Sequence, residues 1–147
     1  MDIPETILEI NRFEETKMNI PKDLADMHFL EKNEKFTGYT IKTSKQIITV
    51  AITSVHSCCE SFDVEIHTPL SESLIGQTIT NIKWGNKPLY DYSGFHKSYM
   101  DHESVPACVD LTTSIGTCQI IAYNVHNGYY PHSVYVKWNG YEDIQDV

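Results

Sequence analysis

A chain of 147 residues fits one domain with a real core, since on the order of 70% of the unfolded surface is buried at this size. Eleven Lys plus Arg against twenty Asp plus Glu leave a net charge of −9, and the only arginine is Arg12. The basic stripe that neutralises phosphates is missing, which argues against binding to a nucleic-acid backbone. Apolar runs are only a few residues long, and Met1-Asp2-Ile3-Pro4-Glu5 lacks the positive start and apolar run of a secretory signal. Neither a membrane partner nor export is expected.

Residues 1–35 hold nine of the twenty acids and no glycine. Ile3, Ile7, Ile10 and Phe13 fall at helical spacing, and Asp2, Pro4 and Glu5 resemble a helix start. A second short helix is expected from Pro21 through Leu24, Met27 and Leu30. The segment therefore reads as a helical appendage that packs on the domain's own sheet or on a partner, including a second copy of the chain.

From Phe36 the apolar period changes to two, over a β-rich core domain spanning 36–138. Strands are expected at 36–43 and 46–53, joined as a hairpin at Ser44-Lys45, then at 61–67, 78–84, 107–113, 117–125 and 129–138. After the third strand, Leu70, Leu74 and Ile75 predict a short helix stopped by Gly76. Residues 86–106 show no period and read as an insertion. The last residues, 139–147, with acids at 142, 143 and 146, read as an acidic tail. The fold class is mainly β, of the α+β type: a single antiparallel sheet or partly closed barrel of about seven strands.

Asn127-Gly128 is the usual signal for a two-residue type I′ turn, which would pair the strands on either side of it. One face would then carry Ile121, Tyr123, Val125, Tyr130, His132, Val134, Val136 and Trp138, and this is the expected core face. The other face would carry Ile120, Ala122, Asn124, His126 and Tyr129. On such a ladder His126 and His132 point to opposite sides and cannot share a metal. Pro131 lacks an N–H, so the tip is expected to be irregular.

The same alternation over 57–66 places Cys58, Phe62, Val64 and Ile66 on one side with Glu60 among them. A carboxylate buried without a partner costs several kcal/mol, so something must hydrogen-bond it. Tyr130 and His132 are the inward polar groups near the other reversal. The expected cluster is Cys58, Glu60, Tyr130 and His132 at one end of the sheet.

Four cysteines, Cys58, Cys59, Cys108 and Cys118, include a vicinal pair and no C-x-x-C spacing, so reduced thiols are the default. Small buried hydrophobes are the plain reading of Cys58 and Cys59. With His126 they are weak candidates for a zinc site, and a nucleophilic role lacks any basic group to lower the thiol pKa.

The elements "SCCESF", "LIGQTITNI" and "GTCQIIAYNVHNGYYPH" together resemble an uncharacterised family of small bacterial and phage proteins with relatives in other viruses. The likeness covers roughly 36–138. It implies no activity. It does imply that Cys58, Cys59, Glu60, Asn124, His126, Asn127, Gly128, Tyr129, Tyr130 and His132 match the family pattern, whereas Pro131 and the length of 86–106 depart from it. The resemblance also implies the cytoplasm of the host cell, or the virion if the chain is viral.

A non-enzymatic binding domain is the leading expectation, with Glu60, Asn124, His126, Tyr129, Tyr130 and His132 holding a small polar ligand or a protein partner at one end of the sheet. Tyr and His at such a rim offer rigid contact area with polar ends; an exposed hairpin tip is the plainer reading. Two alternatives are a structural, virion-associated protein acting through 1–35 and 86–106, and a metal-dependent hydrolase. No cofactor is expected.

Overall fold

The computed structural model describes residues 4–31, 33–54, 61–69, 73–93, 105–125 and 131–147. Within them the chain forms β1 (Glu5–Lys17), α1 (Lys22–Met27), β2 (Lys35–Thr43), β3 (Ile47–Thr53), β4 (Ser61–His67), β5 (Thr78–Gly85), β6 (Ala107–Thr113), β7 (Gly116–Val125), β8 (Ser133–Trp138) and β9 (Tyr141–Asp146). All nine strands belong to one open antiparallel sheet in the order β4-β7-β6-β5-β1-β2-β3-β8-β9.

β1 is the hinge of this sheet. Glu5 and Thr6 pair with β5, while Ile7 onward pairs with β2. The sheet thereby doubles over, and its halves pack face to face. Ile7, Ile41, Ile48, Val50, Ile52, Val134 and Val136 from one half meet Val64, Ile79, Val109, Leu111, Ile120 and Ala122 from the other. Each such side chain, fully buried, contributes roughly 1.5–3 kcal/mol.

Both outer faces are also covered. Phe36, Ala51, Tyr135 and Ile144 lie under Met18, Ile20, Leu24 and Leu30 around α1. Cys108, Ile121 and Tyr123 lie under Tyr90 and Tyr92, which belong to a strap at 87–93. Strands buried on both sides read as continuous apolar runs, as Cys118–Tyr123 does around its one buried amide, Gln119.

The expected helix over the first residues is a strand. A bulge between Ile7 and Glu9 sets two residues of β1 against one of β2, so Ile7 and Ile10 both reach the main core though three positions apart. The bulge imitates helical spacing. Of the second expected helix, only Lys22–Met27 is helical, as α1. The acidic tail is β9, paired with β8 from Ser133↔Asp146 to Trp138↔Tyr141, and Ile144 is its inward anchor. The sheet thus has nine strands rather than about seven.

The expected 117–125/129–138 hairpin is also corrected. β7 pairs with β4 and β6, and β8 with β3 and β9, so the chain crosses from one half to the other between them. Ile121 and Tyr123 consequently face the strap, while Val134 and Val136 face the central core. Asn127-Gly128 itself lies outside the described residues, as does part of the helix expected after β4, whose flank ends at Gly76 with φ 90°.

Candidate functional site

Of the six residues assigned to a binding site, Asn124 and His132 are described; Glu60, His126, Tyr129 and Tyr130, with the metal candidates Cys58 and Cys59, lie outside the described residues. Asn124 and His132 meet at one pole of the fold. Both are buried, at 0% and 4% exposure, and both donate to the same oxygen. The His132 N–H reaches the Val147 main-chain oxygen at 3.0 Å and Asn124 Nδ2 reaches it at 3.2 Å. The Val147 N–H returns a bond to the His132 carbonyl at 2.8 Å, prolonging the β8–β9 ladder.

The imidazole is fixed from two sides. His132 Nδ1 lies 2.6 Å from the Thr53 carbonyl oxygen, and a carbonyl only accepts, so Nδ1 carries a proton. The Thr53 hydroxyl accepts from the Ser133 N–H at 3.1 Å. Against the ring lies Phe62 of β4, with centroids 4.3 Å apart. Burying this ring is tolerable because its polar edge is bonded and its face is packed.

The pole also fixes the ends of two connections. Ser61, the residue after 55–60, pairs with Val125, the residue before 126–130. At the other ends, Thr53 meets His132 and Ser133. Both connections leave and return at the same place.

A second polar group was not foreseen. Along β4 the odd positions Asp63, Glu65 and His67 share the outer face with Tyr123 of β7. His67 Nε2 contacts Glu65 Oε1 at 2.9 Å, the Ser93 N–H donates to the same oxygen at 3.1 Å, and the His67 ring stacks on Tyr90 at 5.6 Å. Desolvation opposes ionisation of Glu65, but the bonds from Ser93 and His67 outweigh it and lower its pKa. Tyr123 is pushed up to about 12 by burial and by the carboxylates of Glu65 and Asp63. The strict alternation of "SFDVEIH" was the available signal. These contacts hold the strap, as do the bonds of buried Gln119 to Leu89 N–H, the Lys87 carbonyl and Asp110.

Burial disfavours the thiolate form of both described thiols. Cys108 is raised to about 12 by burial and by Asp110, and Cys118 is raised by burial. Among the described residues no group of three or more His, Cys, Asp or Glu is placed to hold a metal ion. Nor is any helix among them long and apolar enough to cross a membrane.

Fold and pole together define a small doubled-over β domain with a buried polar junction at one end. The chain belongs to the family called Domain of unknown function (DUF7448), whose model matches residues 43–136. The match runs from the end of β2 into β8 and includes Asn124 and His132, while β1, α1 and β9 lie outside it. No curated protein and no solved structure matches the chain.

Proposed function

We propose that this protein is a non-enzymatic binding domain whose ligand, a small polar molecule or a protein segment, is held at the pole built on Asn124 and His132. The observation that carries this reading is the shared anchorage of two connections. Ser61 beside Val125, and Phe62 against His132, bring together residues that flank 55–60 and 126–130. Sites supported by buried, hydrogen-bonded side chains hold their geometry without paying for it on binding.

Glu60, His126, Tyr129 and Tyr130 belong to the proposal because they sit on those connections, and His132 lies at their base. The resemblance to bacterial, phage and viral proteins supports action inside a bacterial or infected cell, in the cytoplasm or the virion.

The test is a titration of the 15N-labelled full chain with the low-molecular-weight extract of its natural host. Shifts should concentrate on Ser61, Phe62, Asn124, Val125 and His132. A titration that leaves these signals unmoved while others shift, or that moves none, would remove the proposal.

A further inference from the structure

On the opposite outer face, α1 ends in an arrangement that usually needs glycine. The Leu30 N–H donates to the Ala25 carbonyl at 3.0 Å and the Phe29 N–H to the Asp26 carbonyl at 3.3 Å. This is a Schellman cap, and its left-handed position is filled by Phe29 at φ 56°. A β-carbon is disfavoured there, and a bulky side chain more so. The cap's apolar contact is supplied by Leu24 and Leu30, which turn inward onto the Phe36–Tyr135 cluster.

Phe29 itself gains nothing from the fold, since it is 93% exposed, and its neighbour Met27 is 73% exposed. A strained backbone thus holds an aromatic ring in water. Strain of this kind is typical of ligand clamps. Beside it opens a cavity of about 490 Å³ with Met18, Ile20, Leu30 and Phe36 as its apolar floor. Asp26, Glu31 and Glu34 line it as well, against the single ammonium of Lys22 among the described lining residues.

We infer that this face docks a segment of another protein that presents apolar side chains flanked by Lys or Arg. Charge complementarity selects that occupant. A second copy would bring the same acidic face on a chain of net charge −9, and a phospholipid or nucleic acid would bring phosphates; all three are repelled by the carboxylates. Phe29 and Met27, which lie in the chain between the lining residues Asp26 and Leu30, are the anchors, and the apolar floor takes the partner's side chains.

The probe is a synthetic amphipathic peptide of Leu and Lys, titrated into the full-length protein and followed by fluorescence anisotropy and by 15N shifts. A peptide of Leu and Glu is the control. The expected result is binding of the Lys peptide alone, with shifts on α1 and Phe36 rather than on His132. Phe29→Gly suits the left-handed φ, so it should keep the melting temperature while weakening binding by about tenfold. Glu31→Lys with Glu34→Lys should weaken it comparably.

Equal binding of both peptides, or affinity untouched by Phe29→Gly, overturns the inference. So does a lowered melting temperature in Phe29→Gly with binding retained, which would make the ring a structural element. Sedimentation showing a dimer that Phe29→Gly dissociates would assign the face to a second copy and overturn it too. None of these outcomes bears on the pole.

Discussion

Arg12 on β1 and Asp63 on β4 bridge the two halves of the doubled sheet, with guanidinium Nη2 2.8 Å from Oδ1. The same guanidinium donates to the Val64 carbonyl at 3.3 Å and lies 5.3 Å above the Tyr39 ring. β4 is an edge strand of the sheet, and Arg12 occupies one of its outward carbonyls. Partial desolvation works against the charge, yet the bonds and charges of Asp63 and Tyr39 outweigh it and raise the arginine's pKa. On another side Trp84 of β5 donates to the Tyr141 hydroxyl at 2.6 Å, and Tyr141 stacks on Trp138 at 4.6 Å.

The Arg12 contact is partly exposed, so its coupling is modest. Arg12→Met and Asp63→Asn should each destabilise the fold by about 1 kcal/mol, with a coupling of about 0.5–1 kcal/mol in a double-mutant cycle read by urea denaturation. Additive effects would show that the two halves are not held together through this pair.

Gly38 leaves no room for a side chain between β2 and β3. A β-carbon there would run into the Val50 carbonyl and lie 2.6 Å from the Ala51 Cα. Gly38→Ala should therefore cost about 1–3 kcal/mol, visible as a lower midpoint at unchanged denaturant slope. A neutral effect would mean that β2 and β3 do not approach so closely.

How much of this was legible beforehand depended on whether local pattern matched local structure. β2 through β6 are runs of β-branched and aromatic residues bounded by turn residues, and they fall within a residue or two of their expected bounds. β1 was hidden because its bulge turns alternation into the spacing of a helix. β9 was hidden because five of its six residues are polar or half exposed and only Ile144 is buried. Asn127-Gly128 suggests a local hairpin, but where β8 pairs is decided by distant strands, β3 and β9. For the site, His132 drew notice as an inward polar group near the reversal, and Asn124 through the resemblance. Thr53, Phe62 and Val147 could not, since each joins them only through long-range contacts.

Alkali should weaken the fold well before the backbone is attacked. Cys108 and Tyr123, each held near 12, and Tyr135, raised by burial and by Glu142, stay protonated in the folded state while the unfolded chain loses those protons from about pH 9. Their stabilisation is complete below pH 9 and is lost as pH rises towards 12, at up to about 1.4 kcal/mol per pH unit for each group. Urea midpoints across pH 7–11 read this directly; a flat profile would contradict it. At pH 8 iodoacetamide should leave Cys108 and Cys118 unlabelled until the chain unfolds.

Acid acts on the strap. Glu65 has a lowered pKa in the fold, so its contribution is complete above 4.5 and disappears as pH falls through the folded value. Amide exchange at Ser93 should quicken on that descent, and Glu65→Gln should show the faster exchange already at neutral pH. Unchanged protection in the variant would mean that Gln119 holds the strap alone.

The central claim, a binding site resting on the Asn124–His132 junction, is tested most directly by native mass spectrometry of protein purified from its natural host. The variant to compare is His132→Asn, whose amide keeps a donor for the Thr53 carbonyl while the imidazole ring is lost. The account predicts an additional retained mass on the wild-type chain that is missing from a folded His132→Asn chain. A bare wild-type mass, or the same adduct on both proteins, would contradict it.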